Sequence, residues 1–305
     1  MERINALFID EPRLLTMKFI NPKTDFAFKR IFGSTASKEI LKSFLNALIY
    51  DGIPRIEDLE IIDSYLSSKV SVLKDSYLDV KAKITGGKTI IIEMQVLNVS
   101  SFAKREIYNA AKAYSTQLGR GEGYSKLKPV IALTITDFDL FEGEESVISH
   151  FVFKEKVRLF DYPDAEIELV FVELPKFKTS LEELETLTDK WIYFMKNAPS
   201  LETVPQTMGE VSEIEQAFSI ANTANLSLEE LEDLEKREMF IEDQRGLVTK
   251  SLQQGREEGL AEGMTQGMKQ KAIDIAKQLI GKLDNETISQ TTGLSLEEIQ
   301  SLPGQ

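Results

Sequence analysis

The stretch SYLDVKAKITGGKTIIIEMQVL, residues 76–97, constrains the fold most, because it is two β-rich runs joined at Gly86-Gly87. Side chains on a strand alternate between faces, so each run can be read face by face. Leu78, Val80, Ala82 and Ile84 share one face of the first run, as do Ile90, Ile92, Met94 and Val96 of the second. The opposite faces carry Tyr77, Asp79, Lys81 and Lys83, and Thr89, Ile91, Glu93, Gln95 and Leu97. The two polar sets share a side of the sheet only if facing residue numbers add to an even number, as when Asp79 faces Glu93. A two-residue turn gives the wrong parity, so the spacing predicts a three-residue loop of Thr85, Gly86 and Gly87, or an equivalent bulge.

In that register the β-carbons of Asp79 and Glu93 lie about 4.5 to 5.5 Å apart, close enough for both carboxylates to grip one cation. Without a cation they repel, which raises one pKa. The alternative is a polar face open to water on which Lys81 and Lys83 balance the two acids. Against it, IIIEM reads as a central strand, and the helix that follows must pack on the sheet.

Around the hairpin, KTDFAFKRIFG and SKEILKSFLNALI have helical spacing, with Gly33 dividing them. LEIIDSYL (59–66), PVIALTIT (129–136) and EIELVFVEL (166–174) read as strands and SFAKREIYNAAKAYSTQL as a helix. The order is α, β, β, β, α, β, with one strand more. On the last helix Ala103, Ile107, Ala110, Ala111, Tyr114 and Leu118 are expected to form the buried stripe. Arg105, Tyr108 and Lys112 then form a second stripe able to touch DNA phosphates, or a solvated face.

Cysteine is absent, which excludes disulfides and thiol chemistry, and the single histidine, His150, leaves little room for a Ser/His/Asp triad. Hydrolytic chemistry would rest on carboxylates, lysine and metal. The formal charge of −14 argues against a nucleic-acid partner, but the charge is uneven. Residues 17–135 carry net +6 and residues 136–305 net −19, which suggests two units with different work. No run of 18 apolar residues and no secretory leader pattern is present, so a cytoplasmic protein without a membrane span is expected.

Asp79 at the end of one strand and Glu93-Met94-Gln95 on the next, in this element order, resemble the PD-(D/E)XK nuclease superfamily. The chain is most similar to its Rpn branch, recombination-promoting nucleases also described as transposases. NPKTDFAFKRIFG, with Asp25 and Lys29, the FLNALI helix, REIYNAAKAYSTQLGRGEGYSKLKPVIALTI and DFDLF carry the resemblance further. It implies an α/β fold with an αβββαβ core around a mixed central sheet, and a metal-dependent DNA endonuclease. It also implies Mg²⁺ or Mn²⁺ on Asp79, Glu93 and the main-chain carbonyl of Met94. The superfamily's lysine is here Gln95, which can orient water but supplies no charge. Lys81, on the same face as Asp79, is read as the displaced lysine or as a surface lysine. A non-catalytic nucleic-acid-binding or assembly subunit and a strand-joining transposase are the other readings.

The expected division is a tail (1–16), a nuclease-like domain (17–175) and an acidic, mostly helical region (176–305). In the last, Ser227 with Glu230 and Ser295 with Glu298 are capping boxes. Gly255, Gly259, Gly263 and Gly267 recur every fourth residue, as a flexible connector or as a helix with a close partner. The stretch from Asn285 to Gln305 has a helix-turn-helix outline but no Lys or Arg, so these last helices are expected to join protein chains, as in a homo-oligomer, rather than read DNA.

Overall fold

The computed structural model describes residues 18–63, 65–66, 76–99, 101–164 and 166–302; the expected tail and the side chain of Tyr77 lie outside them. Helix α1 (Asp25–Phe32) starts at Thr24, whose hydroxyl accepts from the Ala27 N–H at 3.3 Å. It ends at Gly33, where a Cβ would stand 2.7 Å from the Lys29 carbonyl oxygen, and α2 (Lys38–Tyr50) follows. Then come β1 (Leu59–Ile62), the short pair β2 (Tyr65–Leu66) and β3 (Ser76–Tyr77), β4 (Val80–Ile84), β5 (Thr89–Gln95) and α3 (Phe102–Ser115). β6 (Val130–Thr136), β7 (Ile148–Phe151) and β8 (Ile167–Glu173) complete the strands. The αβββαβ order holds, with β7, which carries His150, as an addition to the expected strands.

Six strands form one mixed sheet in the order β1-β4-β5-β6-β8-β7. The central pairs β5–β6 and β6–β8 are parallel and the rest antiparallel. Parallel strands covered on both faces read as continuous apolar runs, which explains IIIEM. Ile90, Ile92, Leu133, Ile135 and Val172 enter the main core with α1 and α2, while Ile91, Val130 and Ala132 meet Ala110 and Ala113 of α3 on the other face.

The main core does not close at residue 175. Helices α4 (Leu187–Asn197), α5 (Gln206–Gly209) and α6 (Ser212–Ala221) follow the sheet. Trp191 of α4 lies 5.4 Å, ring to ring, from Phe44 of α2, and Phe194 lies 4.8 Å from Phe218 of α6. All four rings are buried, and each contributes roughly 1.5–3 kcal/mol of burial. The N-terminal end of the described chain is sewn to the same helices: the Ile20 N–H donates to the Ala221 carbonyl at 2.8 Å. The boundary expected near residue 176 is therefore corrected. Two compact units divide between Ile241 and Glu242, inside helix α7 (Leu228–Leu279).

Ser227 and Glu230 exchange both capping bonds, at 2.8 and 3.2 Å, before α7. The Gly-spaced stretch is part of this continuous helix, and among the described residues no atom beyond the helix's own neighbouring backbone lies within 4 Å of where a Cβ would stand on its four glycines. In the second unit α8 (Asn285–Thr292) and α9 (Leu296–Gln300), the latter behind the Ser295–Glu298 capping box, close a small core of Ala276, Ile288, Leu294 and Ile299. No helix among the described residues is long and apolar enough to cross a membrane.

Candidate active site

The β4–β5 hairpin has the parity read from its sequence. Val80 faces Ile92, Lys81 faces Ile91 and Lys83 faces Thr89, across a loop of Thr85, Gly86 and Gly87. Gly86 and Gly87 take φ of 84° and 83°, a region that favours glycine, so the sequence supplies the two residues that close this loop without strain.

β4 begins only at Val80, and that break makes the site. The Ile84 N–H bonds the Lys88 carbonyl at 2.9 Å, and by the alternation of an antiparallel ladder Met94 is due to bond Leu78. Leu78 instead turns its side chain into the α3-side cluster, which corrects the expectation that it shares a face with Val80 and Ala82. The Met94 N–H donates to Asp79 Oδ2 at 2.7 Å, so a side-chain carboxylate takes the place of the missing carbonyl. The ladder ends at Val80–Ile92, and Asp79, just beyond it, is near enough to Glu93 for its charge to act there.

Both acids are largely buried, Glu93 at 9% exposure. Burial first, then a hydrogen bond and like charge from Asp25, push the Asp79 carboxyl up to about 7 against the Met94 bond and Lys29. Burial, Asp79 and Glu106 push Glu93 up to about 8, against Arg105 and Lys29. Glu93 Oε1 accepts from Asn109 Nδ2 of α3 at 3.2 Å.

α1 supplies the nearest charges. Lys29 Nζ lies 2.7 Å from Asp25 Oδ1 and 3.7 Å from Asp79 Oδ1. Burial would lower its pKa, but the bond to Asp25 and the charges of Asp25, Asp79 and Glu93 hold it above its usual value. Asp25, held below its usual range despite burial, also faces Arg237 Nη1 of α7 at 3.4 Å. Lys81 has a different setting: partial burial lowers its pKa, and the charges acting on it are those of Asp63 and Lys83.

Gln95 is held at both ends of its amide. Its Nε2 donates to the Leu97 carbonyl at 2.8 Å and its Oε1 accepts from Arg105 Nη2 at 2.5 Å. α3 is turned relative to the expected stripes. Its buried residues are Phe102, Glu106, Asn109, Ala110, Lys112 and Ala113, while Ala103 and Ala111 are exposed and Ile107 is 58% exposed. Arg105 is exposed and Tyr108 half-buried, but Lys112 is buried, its Nζ 5.8 Å from the Tyr108 ring centre, so the three do not share an open face. Glu106 and Asn109 escaped the sequence reading. Their signal was a Glu and an Asn three residues apart, both in line with Phe102 and Ala113 on one face.

The residues gathered here are thus Asp25, Lys29, Asp79, Glu93, Gln95, Arg105, Glu106 and Asn109, while His150 is engaged elsewhere, its Nδ1 2.7 Å from Glu168 Oε1 on β8. Among the described residues no three His, Cys, Asp or Glu side chains are arranged to hold a metal ion. Comparison with curated proteins and with solved structures gave no significant match. A family model described as PD-(D/E)XK nuclease family transposase matches residues 22–251. With three quarters of its length inside that match, the chain belongs to the PD-(D/E)XK nuclease family transposases.

Proposed function

We propose that the protein hydrolyses DNA phosphodiester bonds with the help of Mg²⁺ or Mn²⁺, as an endonuclease of recombination or mobile elements working in the cytoplasm. The observation that carries this reading is the buried pair Asp79 and Glu93, two carboxylates whose ionised forms are disfavoured by burial first, then at Asp79 by Asp25 and at Glu93 by Asp79 and Glu106. Such a donor set fits a divalent cation, which offsets both penalties. The ligands would be Asp79, Glu93 and the Met94 main-chain carbonyl; the break in β4 interrupts the ladder at this residue, which supports the third. A cation bound there supplies a water of lowered pKa and neutralises charge gathering on the phosphate.

The chain's own groups divide the remaining work. Asn109 and the Met94 N–H orient the two carboxylates. Lys29 keeps positive charge beside Asp79. Gln95, fixed through its amide, orients the attacking water. Lys81 stands in the sequence reading as the displaced lysine, and its neighbours Asp63 and Lys83 make that the weaker part of the site. Tyr108 and Arg105 would lie along the DNA path, and the C-terminal helices would pair two copies so that both strands are reached. The matched family's description favours strand joining as the second reading.

The test is relaxation of supercoiled plasmid by the purified protein with Mg²⁺, Mn²⁺ or chelator, beside Asp79→Ala. Metal-dependent nicking lost in the variant supports the nuclease; the same nicking by both proteins places the activity elsewhere. Joined products appearing with a donor end support the transposase.

A further inference from the structure

We propose that Arg105 is the catalytic cation of this site, in the role left open where Gln95 stands for a lysine, with Glu106 as the residue that positions it. The inference rests on the nuclease reading above and assigns its missing positive charge.

The guanidinium is held on three sides. Nη2 donates to Gln95 Oε1 at 2.5 Å, Nε faces Glu106 Oε1 at 3.6 Å, and the group lies 5.4 Å from the Phe102 ring centre. Glu106 is 1% exposed, and Thr134 Oγ1 donates to its Oε2 at 2.9 Å. Its Oε1 is buried, no donor among the described residues lies within hydrogen-bond distance of it, and the cation facing it is Arg105. A buried carboxylate left without its counter-charge is strongly disfavoured, so Glu106 keeps Arg105 in place. Gln95 accepts the hydrogen bond without neutralising the charge, because it is an amide. The side chain stays 45% exposed, so a guanidinium edge remains for a substrate phosphate, which such a fork binds with two parallel bonds. Arg105 already acts on Glu93, which sets its field at the carboxylate pair. The other candidate cations are committed: Lys29 to Asp25 at 2.7 Å, and Lys81 to surroundings of Asp63 and Lys83.

The experiment compares the parent, Arg105→Ala, Arg105→Lys, the double variant Arg105→Ala/Gln95→Lys and the double variant Arg105→Gln/Glu106→Gln. The last removes the stranded carboxylate together with its partner and so keeps the fold testable if Arg105→Ala does not fold. Turnover is read at saturating plasmid with Mg²⁺, and DNA affinity is read separately in chelator across a salt series. The expected result is a loss of about 100-fold in turnover for Arg105→Ala and for the Gln/Gln variant, with affinity changed by less than about threefold. Adding Gln95→Lys should restore at least about tenfold of it, because a lysine there carries the charge that Arg105 supplied. A peripheral phosphate contact gives the opposite pattern: parental turnover at saturation, weaker binding and a salt slope lower by about one. That outcome, or a Gln/Gln variant as fast as the parent, overturns the proposal. A parent that cuts and an Asp79→Ala that does not, beside a fully active Arg105→Ala, overturn this assignment alone. A parent that cuts nothing with either metal overturns the nuclease reading and this inference with it.

Discussion

The Asp79 carboxylate accepts the Met94 N–H at 2.7 Å, in the position a Leu78 carbonyl would fill had β4 continued. A side chain that completes a β-ladder has its position set by the backbone, while its charge is still opposed by burial. The structural and electrostatic parts of Asp79 can therefore be separated by mutation.

Asp79→Asn keeps an oxygen for the Met94 N–H and removes the buried charge, so nicking should fall by at least about 100-fold while the protein melts no lower than the parent in chelator. Asp79→Ala should lose nicking equally and also about 1–2 kcal/mol of stability, because it orphans a buried N–H. Melting curves of the two variants in chelator, set beside plasmid relaxation, check this; an active Asp79→Asn would remove the residue from the chemistry.

The raised pKa values fix the sign of a pH effect. Asp79 goes from 3.8 to about 7 and Glu93 from 4.5 to about 8, so the folded state holds more protons than the unfolded state between these limits. The stability these protons contribute is full below the unfolded values, and it is lost as pH rises through 7 to 8. In chelator the free energy of unfolding should be lower at pH 8.5 than at pH 5.5 by about 1 kcal/mol or more. Mg²⁺ should stabilise the protein more at the higher pH, because protons no longer compete. Asp79→Asn/Glu93→Gln should flatten both trends; a slope unchanged in that variant would assign it to other groups.

Lys29 and Lys81 are separable by the same plasmid assay. Lys29→Ala should slow nicking by about tenfold, since it removes the cation 3.7 Å from Asp79. Lys81→Ala should change it by less than about twofold, as expected of a lysine acting outside the site. A larger loss for Lys81→Ala than for Lys29→Ala would restore Lys81 as the displaced lysine.

A chain ending at residue 176 lacks Trp191, Phe194 and Phe218, which share the main core with Phe32 and Phe44. It should be insoluble or fail to melt cooperatively, whereas a chain ending at Ile241 should stay monodisperse with a single unfolding transition. Calorimetry with light scattering checks both, and a cooperative 1–176 fragment would show that α4 to α6 are dispensable.

Much of the site was legible because alternation along a strand is strict. The parity of the hairpin follows from which residues are polar, and the pairing from Val80–Ile92 to Lys83–Thr89 has it. The break before Val80 left no comparable mark, since Leu78 is equally at home in either apolar cluster. On α3 the stripe of Ala and Ile residues misled, because alanine packs inside or outside at little cost and Ile107 is an exposed apolar side chain of an ordinary kind. Two polar residues, Glu106 and Asn109, hold the inward face instead, and their value lies in partners far along the chain, Thr134 and Glu93. The boundary was misplaced because net charge describes a surface. The acidic back half begins with helices whose inner faces carry Trp191, Phe194 and Phe218, and these belong to the first core.

The loop Thr85-Gly86-Gly87 lies at the far end of the hairpin from both acids, yet where it begins and ends fixes which residues of β4 and β5 face each other. With Ile84 and Lys88 on either side of it, the numbers of facing pairs add to an even value; a turn that slips by one residue, taking Thr85 or Gly87 into a strand, makes the value odd and puts Glu93 on the side of Val80. A residue added or removed inside the loop leaves Val80 facing Ile92 as long as the turn still closes between the same two neighbours. The two glycines at positive φ thus guard the register rather than the loop's length: they hold the turn in one place, and so protect the chemistry from outside the site.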